Sequence, residues 1–203
     1  MVRRRPGRTR PHPVALATAR LIGSAPFPWV TAAVAVASAA IFLLPGAADA
    51  CVYDRAAVAG GQLWRLWTGH LVHFNAAHLG WNLAVWLAAG AWLERLAPRV
   101  SRWFCAGAAP IIAGALPLFD PQLAQYGGLS GLAAGLVVLL SLRQLSVPGE
   151  SRWIWSGVIA FVALKIMVEW WSGTPYLATG IASAPVAHIA GVACAVIARL
   201  IAK

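Results

Sequence analysis

The chain has 203 residues, of which 60% are hydrophobic and only 11% charged, with a formal net charge of +10. Soluble domains are usually about 45–50% apolar and about 25% charged. An ordinary soluble domain is therefore excluded, and the recurring apolar runs point to one domain that crosses a bilayer several times.

Residues 1–25 form a basic arm that carries Arg3, Arg4, Arg5, Arg8, Arg10 and Arg20. A basic arm can bind nucleic acid. Beside a membrane span it marks a cytoplasmic end instead, so no nucleic-acid partner is expected. No small-residue cleavage site follows, and the next apolar run is long enough to stay in the bilayer.

Residues 26–203 divide into six helical spans at 27–44, 76–96, 103–119, 129–145, 153–171 and 182–201. These runs are too long and unbroken for barrel strands, so the expected class is an all-α membrane bundle. Pro45–Gly46, Pro98, Pro121 and Pro148–Gly149 mark the joints, and Pro110 predicts a kink inside the third span. Cys51, Cys105 and Cys194 are widely spaced and lack a CxxC pair. They give neither a disulfide framework nor a zinc site, and read as packing residues.

With the amino terminus inside, the cytoplasmic segments hold the six arm arginines, Arg95, Arg99, Arg102, Arg143, Arg152, Arg199 and Lys203. The outer loops hold only Arg55 and Arg65, which places both termini in the cytoplasm. No internal repeat of useful length is visible, so a transporter built from duplicated halves is not supported.

Polar residues inside spans are costly and mark function by default. His78, Asn82, Ser130 and His188 are the informative ones. Counting up from the arginine that ends each span, at about 1.5 Å per residue, Asn82 and Ser130 lie about 20 Å above the inner surface and His188 about 16 Å. Three helices thus contribute polar groups to one layer, and His78 sits one turn above Asn82 on the same face. The fourth span covers about 24 Å from Ser130 to Leu145, less than a bilayer of about 30 Å. The segment Asp120–Gly128 must then dip into the membrane, beside a water-filled cavity or inside protein. Small residues recur at Gly127, Gly131 and Gly135, and at Ala187, Gly191 and Ala195. Such stripes predict close packing of the fourth span on the sixth, which would bring Ser130 within reach of the His188 ring.

This layer has two readings. Ser, His and Asn can simply hydrogen-bond neighbouring helices. They also form a site for acyl transfer, in which His188 takes the Ser130 proton and His78, Asn82 and the Ser130 backbone N–H serve an oxyanion. Asp120 and Glu169 sit too near the outer boundary to orient His188, so a Ser–His dyad is expected rather than a triad. Lys165 and Glu169 have i,i+4 spacing and are expected to neutralise each other. Gly128-Leu129-Ser130-Gly131-Leu132 lacks the second glycine of the GxSxG elbow. His70, His73 and His78 have no HExxH partner, so no metal or other cofactor is expected. Below Ser130 the fourth span is Leu, Ala, Gly and Val as far as Ser141, which disfavours a channel that continues to the cytoplasm.

These residues resemble the rhomboid family of intramembrane serine proteases over nearly the whole chain after the arm. His73-Phe74-Asn75-Ala76-Ala77-His78-Leu79-Gly80-Trp81-Asn82 is similar to its H-x-x-x-x-H-x-x-x-N element, Gly128-Leu129-Ser130-Gly131 to its GxSG, and Ala187-His188-Ile189-Ala190-Gly191 to its AHxxG. Trp64-Arg65 resembles the WR element of the first outer loop. The resemblance implies a six-helix rhomboid-like bundle with Ser130 as nucleophile, His188 as general base and His78 with Asn82 at the oxyanion site. His73 falls where the family has a second histidine, with a structural role as the alternative. Trp64 and Arg65 read as loop braces. The implied activity is cleavage of membrane-anchored proteins near the outer face of the bilayer, with a bacterial inner membrane as the location. Within the family the chain looks most like the rhombosortase branch, on Val52-Tyr53-Asp54-Arg55, Gly61-Gln62-Leu63-Trp64-Arg65-Leu66, and Lys165 with Glu169. That branch implies substrates ending in a Gly-Gly motif, one membrane helix and a basic tail. Other single-pass substrates, or a non-proteolytic relative that binds membrane clients, are the alternatives. The sequence leaves the oligomeric state open.

Overall fold

The computed structural model describes residues 26–172 and 184–202. The basic arm, the expected start of the last span at 182 and Lys203 lie outside the described residues.

Helix α1 (Trp29–Leu43) leads into a connection that the sequence reading left as an outer loop. It contains short helices α2 (Ala47–Cys51), α3 (Arg55–Ala59) and α4 (Arg65–Thr68), then a 3-10 turn at Gly69–Leu71. The expected second span consists of α5 (Ala76–Val85), a π-helical turn (Trp86–Gly90) and α6 (Ala91–Leu96). Then come α7 (Pro98–Phe119), α8 (Ser130–Gln144), α9 (Arg152–Ser172) and α10 (Pro185–Ile201). Helix α7 starts five residues before its expected position. Pro98 ends one segment but also suits the first position of the next, where its missing N–H has no partner to lose. The fold is mostly helical but not wholly so. Tyr53–Asp54 (β1) and Gln125–Tyr126 (β2) pair antiparallel, with Tyr53 opposite Tyr126 and Asp54 opposite Gln125.

Helices α7 and α9 are long and apolar enough to cross a membrane; α1, α8 and α10 are shorter apolar helices. Trp29, Trp103, Trp153 and Trp171 stand exposed near helix ends, where indole rings suit a membrane–water boundary.

Helix α8 is the centre of the packing. Ten of its fifteen residues are buried, against three of twenty-one in α9, namely Trp155, Val162 and Glu169. Its Leu136 and Leu139 meet a core that includes Leu93, Ile112 and Leu116.

Two hydrogen-bond solutions fix the surrounding helices. The first N–H groups of a helix lack internal partners, and Pro28 offers α1 no side-chain cap. Glu94 of α6 supplies it: Oε1 accepts from Val30 N at 3.0 Å, and Oε2 from Thr31 N at 2.9 Å and Thr31 Oγ1 at 2.8 Å. In α7, Pro110 cannot donate to the carbonyl four residues back. That Ala106 carbonyl accepts instead from Trp67 Nε1 at 3.0 Å, and the helix continues through the proline.

Candidate functional site

Ser130 is the first residue of α8. Every other residue from Tyr126 to Ala133 is buried, whereas Ser130 is partly exposed. The segment leading to it is irregular, and several of its backbone polar groups bond to protein, which is the condition for irregular backbone at membrane depth. The Arg55 guanidinium donates to the carbonyls of Asp120 and Leu123, each at 2.7 Å, and to that of Pro121. Arg55 N donates to Ala124 O at 2.9 Å, and Gly128 N to Gly69 O at 3.2 Å. The Tyr126 hydroxyl donates to Gly128 O at 2.9 Å.

Helices α8 and α10 touch backbone to backbone. A side chain at Gly131 would meet the Ala187 carbonyl oxygen at 2.9 Å, one at Gly135 would meet the Gly191 oxygen at 2.5 Å, and one at Gly191 would strike the Gly131 oxygen. Ser130 and His188 therefore each adjoin the Gly131–Ala187 contact, one residue from Gly131 and from Ala187. Gly127 does not belong to this stripe. It precedes α8, and its space is bounded by the Phe74 ring at 3.0 Å and the Val72 carbonyl at 3.1 Å.

His78 and Asn82 approach the same segment from α5. Gly128 has φ 130°, a conformation that favours glycine. A Cβ there would stand 2.8 Å from His78 Cε1 and Nε2, and 3.8 Å from Asn82 Nδ2. The Asn75 side chain caps α5 through His78 N at 2.8 Å. Asn82 Nδ2 donates to His78 O at 3.0 Å. The His73 and His78 rings lie edge to face, 5.0 Å apart, and His73 Nδ1 donates to Leu71 O at 3.0 Å. His73 Nε2, His78 Nδ1 and both ring nitrogens of His188 are buried without a hydrogen-bond partner among the described residues. No hydrogen bond joins Ser130 to His188 among them.

The expectation that no acid reaches His188 is overturned. Glu169 Oε2 stands 2.9 Å from His188 Nδ1, although the pair lacks the directionality of a hydrogen bond. Its other oxygen, Oε1, accepts from Lys165 Nζ at 2.7 Å. The error came from counting helix rise alone. Glu169 lies seventeen residues above Arg152 and His188 eleven above Arg199, a difference of about 9 Å. Helical side chains lean toward their own N-terminus. In helices running in opposite directions the long Glu169 side chain and the His188 ring lean toward each other and close that gap.

The connection between α1 and α5 is tied down by the WR pair. Arg65 donates from Nη1 to Asp49 O at 2.9 Å and Val52 O at 2.6 Å, and from Nε to Gln62 Oε1 at 2.7 Å. Trp64 Nε1 donates to Ala50 O at 3.2 Å. Two further residues near the site, His70 and Tyr126, were given no role by the sequence reading. His70 donates from Nε2 to Ala109 O at 2.9 Å, and the Tyr126 hydroxyl lies 3.4 Å from its Nδ1. A histidine so close to the His73–His78 pair was the available signal, but nothing in its spacing named a partner in α7.

A hydroxyl at a helix start, an imidazole across a backbone contact and further imidazole and amide groups beside the preceding glycine are the parts that acyl transfer uses. A Rhomboid domain model matches residues 60–202, well over half of the chain, and the chain thus belongs to the rhomboid family, integral membrane proteases that act on membrane protein substrates within the bilayer.

Proposed function

We propose that the chain is an intramembrane serine endopeptidase in which Ser130 is the nucleophile and His188 the general base. The observation that supports this reading is the backbone contact of Gly131 with Ala187 and Gly191, since Ser130 and His188 are the chain neighbours of Gly131 and Ala187. A serine hydroxyl needs a base to take its proton, and the same base can protonate the leaving amine. His78 and Asn82 are proposed as oxyanion donors because they border Gly128, two residues before the nucleophile. Gly128, Gly131 and Gly191 supply the space, and His73 orients His78. Trp64 and Arg65 brace the outer connection without taking part in the chemistry.

The proposed setting is six spans with both termini in the cytoplasm of a bacterial inner membrane, with 1–25 as a cytoplasmic arm and 26–203 as the protease domain. The arginine asymmetry supports this orientation. The proposed substrates are exported proteins with a C-terminal Gly-Gly motif, one membrane helix and a basic tail, the rhombosortase class. Cleavage frees the exported body from its anchor.

The test uses the full chain in detergent or liposomes with a fluorophosphonate probe. The parent is expected to be labelled, and Ser130→Ala and His188→Ala are not. Equal labelling of Ser130→Ala removes the nucleophile assignment. A coexpressed reporter bearing a Gly-Gly, helix and arginine tail tests the substrate class. A reporter left uncut by an enzyme that the probe labels counts against that class alone.

A further inference from the structure

Glu169 is one of only three buried residues on α9, with 2% of its surface exposed. A buried carboxylate is costly unless it is paired. Lys165 pairs with it, but through Oε1 alone. Neutralising the lysine would be complete with that one oxygen. The second oxygen, Oε2, instead meets Nδ1 of a histidine on another helix at 2.9 Å. The Nε2 of that histidine is buried without a hydrogen-bond partner among the described residues.

We propose that Glu169 is a positioning residue for His188, which it acts through, so that the reaction runs on a Ser130–His188–Glu169 relay held in place by Lys165. This inference rests on the serine-protease reading. A neutral imidazole has one N–H and one lone pair, and the partner of one nitrogen decides which is which. A carboxylate at Nδ1 selects the Nδ1–H tautomer and leaves the Nε2 lone pair for the Ser130 proton. As Oγ bonds to the substrate carbonyl carbon, its proton passes to Nε2 and the carbonyl π pair moves to oxygen. The resulting imidazolium lies against the Glu169 carboxylate. Collapse of the adduct breaks the C–N bond, and the Nε2 proton leaves with the amine. Water then repeats the sequence on the acyl ester and regenerates Ser130.

The charged and titratable groups acting on His188 among the described residues are Glu169 and Lys165 from α9 and His78 from α5. Where α7 and α8 meet α10 around Gly191, the contacts include Ile112, Gly131 and Gly135, none of them titratable. Glu169 is thus the one carboxylate in that set.

The test is the second-order labelling rate of the full chain in liposomes with a fluorophosphonate, followed against pH, together with the thermal midpoint. Glu169→Gln keeps the shape and removes the charge. Its labelling is expected to slow by about 10²–10⁴-fold, given what neutralising the orienting acid costs a serine protease. An imidazole without its carboxylate is less basic, so the acid limb of the profile is expected to move to lower pH. Glu169→Asp is expected to recover part of the rate. A parental rate and an unmoved acid limb in Glu169→Gln, with Ser130→Ala still unlabelled, overturn the relay and leave the serine reading intact. A rate loss that follows the thermal midpoint, with no limb movement and no recovery by Asp, also overturns it. If Glu169→Gln does not accumulate, Glu169→Asp decides by the same two readouts. A parent that the probe does not label overturns the serine reading and the relay with it.

Discussion

Gly191 faces the Gly131 carbonyl so closely that no side chain fits between them. Gly191→Ala must therefore push α10 away from α8. Overpacking of this kind costs about 1–3 kcal/mol and sometimes more. Because Ser130 and His188 flank the contact, probe labelling should fall further than stability alone explains. Gly157→Ala on α9 is the control, since nothing lies within 4 Å of a Cβ there. That change is expected to stay within about 0.5 kcal/mol of the parent. Thermal unfolding in detergent, run beside labelling, separates the two effects. Equal behaviour of the two alanine variants would refute the contact.

Glu94 caps a helix that begins more than sixty residues earlier in the chain. Glu94→Ala strands two α1 N–H groups and the Thr31 hydroxyl, and is expected to destabilise by about 1–3 kcal/mol. Glu94→Gln keeps one accepting oxygen and loses the charge that favours a helix N-terminus, so it should fall between parent and alanine. Amide exchange at Val30 and Thr31 reads this directly. Protection that survives in Glu94→Ala rules the cap out.

The parts of the fold set by local pattern were legible. The apolar runs named the long helices, with α7 starting five residues early and the short α2–α4 missed, because a long helix needs an unbroken run and the prolines and glycines mark its ends. The small-residue stripe around Ser130 and His188 named a helix contact, because only small side chains permit that approach. What stayed hidden depends on tertiary distance. Glu94 at Val30 and Thr31, and His70 at the Ala109 carbonyl, are pairs between separate elements with no sequence spacing to announce them. Glu169 was misplaced because rise per residue fixes a Cα position and says nothing of where a long side chain ends. Gly127 was misread because period four was extended one step past the start of α8.

Arg55 gathers three carbonyls of the segment before Ser130. Arg55→Lys keeps the charge but not the planar fork of donors, so it cannot serve all three. Hydrogen bonds to a charged donor contribute about 1.5–3 kcal/mol each in favourable settings. Part of that is lost here because the guanidinium is partly exposed. Limited proteolysis within 120–125 is expected to speed up in Arg55→Lys and more so in Arg55→Ala. Labelling of Ser130 should slow in the same order. An unchanged cleavage pattern in Arg55→Ala would show that the segment holds itself.

Asp54 links the connection between α1 and α5 to the same segment. Its carboxyl is held below the ordinary range, first by the Ala57 N–H that it accepts and then by the Gln125 amide. The sign follows from the direction of that shift. A carboxyl more acidic in the folded chain than in the unfolded one adds stability above its unfolded pKa, and that stability is lost as pH falls through the folded value. Asp54 is only partly buried, so solvent screens the effect and it is small. Asp54→Asn retains an accepting oxygen for Ala57 but cannot ionise. Its thermal midpoint should therefore depend less on pH than the parent's across the acidic range, and the two should converge once the parent carboxyl is protonated. Parallel curves across that range would show that the Asp54 charge does not couple to folding, and would leave the Tyr53–Tyr126 and Asp54–Gln125 strand pairing as what joins the two loops.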